Sequence, residues 1–126
     1  MPTVLFIDDS ETALASTKIA TGGMPIEVKQ YLRAMDALDD IGMGTVKPDL
    51  IITDLNMPEM NGLEFLKEAR GLEETKKTPI LMLTTETKPE LKEQGKALGL
   101  TGWIVKPFNP AQLQGAINRV LGCHNG

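Results

Sequence analysis
Short apolar runs, each followed by an amphipathic stretch, recur along the chain. The runs are Val4-Leu5-Phe6-Ile7, Ile26-Glu27-Val28, Leu50-Ile51-Ile52, Ile80-Leu81-Met82-Leu83 and Trp103-Ile104-Val105. Four are nearly continuous in apolar residues, as strands buried on both faces must be. The second alternates apolar and charged, which predicts an edge strand.

The intervening stretches carry helix signals. Asn61-Gly62-Leu63-Glu64 and Thr87-Lys88-Pro89-Glu90 both have the spacing of a capping box. Asn109-Pro110 reads as an N-cap followed by proline at the first helical position. Beyond it Leu113, Ala116, Ile117, Val120 and Leu121 form a helical stripe. The first helix is weaker, with Ala13, Leu14 and Thr17 giving part of a face. The second, around Ala34 to Ile41, ends in Gly42-Met43-Gly44.

Strands alternating with helices imply a parallel sheet with right-handed crossovers and helices on both faces. Five such units predict an α/β fold, flavodoxin-like and doubly wound, with a five-stranded parallel sheet in the order 2-1-3-4-5. In that order strands 1 and 3 meet at the topological switch point, where ligands bind beyond the carboxyl ends.

Composition narrows the function. With 126 residues the chain fits one domain, read as 1–126. A net charge of −4 argues against a nucleic-acid footprint or a polybasic membrane patch. The N-terminus lacks a basic segment and its apolar run stops after Ile7. Neither a signal peptide nor a membrane span is expected, so the cytoplasm is the expected location. Cys123 is the one cysteine and calls for no oxidising compartment.

The predicted strand ends carry the chemistry. They are Asp8-Asp9, Asp54, Thr84-Thr85 and Lys106-Pro107. Three carboxylates in a partly desolvated cleft repel one another, and a hard divalent cation relieves that repulsion. An all-oxygen donor set favours Mg²⁺, and no Cys or His lies nearby to recruit zinc. With the Lys106 ammonium and the Thr84 hydroxyl added, the site suits a phosphoryl group with charge developing on its oxygens. An aspartate can be the nucleophile, forming an acyl phosphate. Geometry alone leaves open which one attacks. The central strand position favours Asp54, while Asp8 and Asp9 are better placed to hold the metal. Taken singly, Asp-Asp reads as an N-cap or turn, Lys-Pro as a turn and Thr84 as a packing residue. It is their joint placement on four strand ends that argues for a site.

At Phe-Ile-Asp-Asp-Ser (6–10), Asp-Leu-Asn-Met-Pro-Glu-Met-Asn-Gly (54–62), Met-Leu-Thr-Thr-Glu (82–86) and Val-Lys-Pro-Phe (105–108) the chain resembles the receiver domains of two-component response regulators. Within them it looks most like the free-standing, CheY-like chemotaxis regulators. The resemblance runs from Val4 to about Leu121. It implies that Asp54 is the phosphoacceptor. Asp9 and Asp54 would ligate Mg²⁺ by side chain, Asp8 mainly through water, and Asn56 by its backbone carbonyl. Thr84 would move to hydrogen-bond the phosphoryl group, Lys106 would pair with it, and the Lys106–Pro107 peptide would be cis. Asn56 and Glu86 match positions that tune dephosphorylation. Trp103 is a departure, because the family usually has Tyr or Phe at this switch position. It is still expected to report phosphorylation, with an indole N–H that needs a partner.

The same resemblance implies a histidine kinase as phosphodonor. His124 is the one histidine and, like Cys123, reads as non-functional, so the donor must be separate. Output is expected through the fourth helix, fifth strand and fifth helix toward a downstream protein, with the flagellar motor switch favoured. A phosphatase is a further expected partner, and a monomer is the expected state. Lys88, Lys92 and Lys96 read either as a solvated face or as a contact for an acidic segment. Gly95, inside the fourth helix, and Gly99, just past it, read either as close packing or as softness in a moving helix. Two alternatives remain, a phosphorelay intermediate and a small Mg²⁺-dependent phosphohydrolase with an aspartyl nucleophile. Adjacent Asp8-Asp9 and the short chain count against the latter. An FMN carrier is disfavoured by the acidic site.

Overall fold
The continuous apolar runs become the centre of a sheet. The elements of the computed structural model are β1 (Thr3–Ile7), α1 (Glu11–Ala20), β2 (Glu27–Tyr31), α2 (Ala34–Gly42), β3 (Leu50–Thr53), α3 (Gly62–Arg70), β4 (Ile80–Thr84), α4 (Pro89–Ala97), β5 (Gly102–Val105) and α5 (Pro110–Asn125). The structure describes residues 1–125, with side chains through Gly122. The readings of Cys123 and His124 therefore lie outside the residues whose side chains are described.

The strands pair in parallel in the order β2-β1-β3-β4-β5, the flavodoxin-like order. Alternation along each strand sends side chains to opposite faces. Leu5, Ile7, Ile51, Ile80 and Met82 pack with Ala37, Ile41, Phe65 and Leu66 of α2 and α3. Val4, Phe6, Leu50, Ile52, Leu81 and Leu83 pack with Leu14, Leu113 and Ile117 of α1 and α5. Both layers are built on the same strands, so the sheet is covered on both sides and its central strands β1, β3 and β4 are nearly continuous in buried residues.

β2 differs from its expected span. The alternation suggested 26–28, but Ile26 lies in a turn, its N–H bonded to the Met24 carbonyl at 2.8 Å, and the strand runs Glu27–Tyr31. Its edge position is as expected, and it alternates between exposed and half-buried residues. An edge strand constrains its sequence weakly, so its ends are hard to read.

Helix starts follow local chemistry. Ser10 caps α1 by accepting from the Ala13 N–H at 3.1 Å. Asn61 and Glu64 form a reciprocal capping box at α3, with bonds of 2.8 and 2.9 Å. Asn109 accepts from the Gln112 N–H at 2.7 Å. The second expected capping box does not form. Pro89 takes the first helical position, which makes Lys88 the N-cap and leaves Thr87 one residue out of register. α4 ends in a Schellman turn, with Leu100 N–H bonded to the Gly95 carbonyl at 2.9 Å and Gly99 N–H to that of Lys96 at 3.1 Å. Gly99 has φ +89°, which explains the glycine there. Gly95 is buried beneath the Leu100 side chain, so close packing is what the structure exhibits at that position.

Candidate functional site
The register of β1, β3, β4 and β5 brings their carboxyl ends to one edge of the sheet. Asp8 follows β1, its N–H bonded to the Tyr31 carbonyl at 3.1 Å. Asp54 follows β3, its N–H bonded to the Ile7 carbonyl at 2.9 Å. These ladder bonds fix both aspartates side by side. Carboxylate oxygens of Asp8, Asp9 and Asp54 lie within 4.8 Å of one another. Asp8 is buried, Asp54 half-buried and Asp9 exposed, so the cluster opens to solvent on one side.

Lys106, just beyond β5, reaches into this cluster. Its ammonium donates to Asp8 Oδ2 at 2.7 Å and stands 3.6 Å from Asp54 Oδ2. The Lys106–Pro107 peptide is cis. Asp8 Oδ1 accepts from the Ser10 N–H at 3.0 Å, and Asp54 Oδ1 accepts from the Leu55 N–H at 2.7 Å. One ammonium against three carboxylates leaves excess negative charge in a partly desolvated place. Oxygen donors gathered this closely, with charge to spare, fit a hard divalent cation such as Mg²⁺.

A second group of residues lies at the ends of β4 and β5. Thr84 is fully buried, and its hydroxyl accepts from the Glu86 N–H at 3.4 Å. The half-buried Trp103 donates its indole N–H to the Glu86 carbonyl at 2.9 Å. The partner that an indole needs is therefore the backbone of the β4–α4 loop. Lys92 Nζ stands 5.9 Å from the Trp103 ring centroid, a cation–π contact. The Glu86 carboxylate accepts from the Thr87 and Lys88 N–H groups at 3.2 and 3.4 Å. Glu86 thus touches Thr84, Trp103 and the start of α4 at once. This group joins the acidic cluster through the Lys106 N–H, which donates to the Thr84 carbonyl at 2.8 Å. Asn56 is exposed on the β3–α3 loop, two residues past Asp54.

Sequence reasoning missed several features. Glu59 adopts φ 69° in a γ-turn closed by Met60 N–H on the Pro58 carbonyl, and its carboxylate pairs with Arg33 at 2.7 Å. Proline at 58 signals a turn there, but nothing local names Arg33. Tyr31 donates to Asp40 Oδ2 at 2.7 Å, and burial, then the Asp40 carboxylate, push its pKa up to about 12. At the far end of the molecule Arg70 donates to the carbonyls of Thr75, Thr78 and Gly99 at 2.7, 2.6 and 2.9 Å, and burial lowers its pKa.

Known proteins resemble this chain in sequence and in fold. The family model described as the response regulator receiver domain matches residues 4–118. Chemotaxis protein CheY-3 of Vibrio cholerae is 42% identical over 73 residues, a match that spans 58% of this chain and only 56% of that protein. Chemotaxis protein CheY1 of Helicobacter pylori is 35% identical over 127 residues, covering 97% of this chain and 98% of that protein. A solved structure of Vibrio cholerae chemotaxis protein CheY4 superposes with a TM-score of 0.88 at 44% identity, covering 95% of this chain and 98% of that one. Likeness of this extent, in sequence and in strand order alike, is that of common descent, and the chain belongs to the response regulator receiver domain family as a CheY-like member.

Proposed function
We propose that the chain is a phosphorylation-activated switch in which Asp54 accepts a phosphoryl group in a Mg²⁺-dependent reaction. The observation that carries this reading is the Asp54 carboxylate, set in a three-carboxylate cluster and 3.6 Å from the Lys106 ammonium. CheY-like receiver domains are signalling switches rather than turnover enzymes, which agrees with a site that holds one acceptor.

In this reading a phosphohistidine of a separate kinase is the donor. An Asp54 oxygen forms the new bond to phosphorus as the phosphorus–nitrogen bond breaks and its electron pair returns to the imidazole. Asp9 and Asp54, with Asp8 through water and the Asn56 carbonyl, would hold Mg²⁺, which neutralises charge on the phosphoryl oxygens when bound. Lys106 exchanges its bond to Asp8 for one to the phosphoryl group. Thr84 gives up the Glu86 N–H and turns its hydroxyl toward the same group. Trp103 and α4 follow through Glu86, which alters the α4–β5–α5 surface that a target protein reads. Asn56 and Glu86 set how readily water reaches the phosphorus.

The same proposal covers the setting. One receiver domain accounts for the chain, acting as a monomer in the cytoplasm, with control of the flagellar motor as the output and a phosphatase as a further partner. Among the described residues no helix is long and apolar enough to cross a membrane. The test is labelling by acetyl phosphate, read as intact mass. Wild type should gain one phosphoryl group with Mg²⁺ and none after chelation, and Asp54→Asn should gain none. Equal labelling of Asp54→Asn, or labelling indifferent to Mg²⁺, refutes the proposal.

A further inference from the structure
The motif that contains Asp54 ends in Gly62, to which the mechanism above gives no role. Gly62 is the first residue of α3 and is buried. Its N–H donates to the Leu55 carbonyl at 2.9 Å, which closes the loop between β3 and α3. A methyl group on its Cα would stand 2.9 Å from Met82 Sδ and 3.0 Å from Leu55 Cα. It would fall closer still to the carbonyl oxygen of Asp54, where no real side chain fits. That oxygen also accepts the Thr53 hydroxyl at 2.9 Å. The Asp54 peptide is therefore pinned between the Thr53 hydroxyl and the bare Cα of Gly62. The N–H of that same peptide, on Leu55, is the 2.7 Å donor to the Asp54 carboxylate.

We infer that Gly62 is a positioning residue for the phosphoacceptor, setting the Asp54 carboxylate and the Asn56 carbonyl through the two peptides it abuts. The inference rests on the proposed role of Asp54. A Cβ here cannot be absorbed by a flexible neighbour, because two of its three contacts are backbone atoms. The 54–55 peptide must shift or tilt, carrying its N–H and the carboxylate that N–H holds. A misplacement of this size at a reacting group costs rate even where the fold survives.

The test compares Gly62→Ala with Ile41→Val, a fully buried change in the same core layer but on α2. Mg²⁺ affinity is measured by calorimetry on the unphosphorylated protein, labelling by acetyl phosphate at saturating Mg²⁺, and stability by thermal unfolding. Both variants should unfold earlier than wild type. Gly62→Ala should also weaken Mg²⁺ binding and slow labelling by on the order of tenfold to a hundredfold, while Ile41→Val leaves both at wild-type values. A folded Gly62→Ala with wild-type affinity and rate overturns the inference. So does Ile41→Val losing both in proportion to stability. Where Gly62→Ala does not fold, Thr53→Val removes the opposing contact to the same carbonyl. It should weaken Mg²⁺ binding in the same direction, and an unchanged affinity overturns the inference. Wild type that binds Mg²⁺ yet never labels at Asp54 refutes the proposed function instead, and the calorimetric comparison separates the two failures.

Discussion

α3 and α4 have the same length and flank the same edge of the site, yet they are held very differently. α3 buries Gly62, Leu63, Phe65, Leu66 and Ala69 and begins in a reciprocal capping box. α4 buries only Gly95, and its N-cap, Lys88, makes no side-chain bond. α3 starts against the backbone of Asp54, whereas α4 starts just past Thr84 and Glu86. The firm helix thus stands behind the proposed phosphoacceptor and the loose one behind the proposed switch residues. Local stability follows buried contact, so α4 is the element that can shift at little cost. Its far end is secured by the Schellman turn and by Arg70 on the Gly99 carbonyl, whereas the end near the site is held through the Glu86 carboxylate and the contact of Lys92 with Trp103, both on the switch side.

Core truncation should break the symmetry between the helices most visibly. Phe65→Ala on α3 removes a fully buried ring and should cost about 3–5 kcal/mol. Leu91→Ala on α4, at a half-buried position, should cost about 1 kcal/mol or less. Urea unfolding of both variants checks this, and equal losses would remove the contrast.

The helix starts give a finer contrast. Asn61→Ala deletes the α3 cap and should destabilise by about 1 kcal/mol. Lys88→Ser supplies α4 with a side-chain acceptor and should stabilise by up to about 1 kcal/mol. If α4 is held loosely for switching, Lys88→Ser should also blunt the response to a phosphoryl donor.

Trp103 reads the loose side directly. Its fluorescence should change when beryllofluoride and Mg²⁺ are added, because its indole bond is to the loop that follows Thr84. Trp103→Phe loses that bond, at a cost of about 0.5–1.5 kcal/mol, and should leave Mg²⁺ binding at the acidic cluster unaltered. A constant Trp103 spectrum in protein that does bind beryllofluoride would detach this residue from the switch.

The smallest effect lies off both helices, at the edge strand. The Tyr31 phenol, raised to about 12 from 10.0 by burial and by Asp40, stays protonated in the folded chain after it ionises in the unfolded one. The unfolded state then binds fewer protons, so this contribution is whole below pH 10 and is lost as pH rises toward 12. Tyr31→Phe should flatten the alkaline limb of stability against pH, with no effect at pH 7 on the difference between α3 and α4.

How much of this was legible in the sequence depended on how locally each feature is determined. Val4–Ile7 and Ile80–Leu83 could be read as strands because burial on both faces leaves no polar positions. The five-unit alternation pointed to a doubly wound sheet, and the flavodoxin-like order chosen for it gathers Asp8, Asp9, Asp54 and Lys106, as the structure has it. The ends of β2 were misread, though not its place at the edge, because an edge strand needs no such continuity. The Asn61 box was readable and the Thr87 box was not, since Pro89 settled which residue caps α4. Gly62, Arg70 and the Arg33–Glu59 pair owe their roles to neighbours distant in sequence, or to a carbonyl that only the folded loop brings near. Trp103 announced a need for a hydrogen-bond acceptor, but not that the Glu86 backbone would supply it.

Segment-resolved hydrogen exchange, with and without beryllofluoride and Mg²⁺, tests the division between platform and switch most directly. Residues 84–97 should change their protection markedly on activation, while residues 63–70 keep theirs. Equal change in both segments, or change confined to 63–70, would contradict the account.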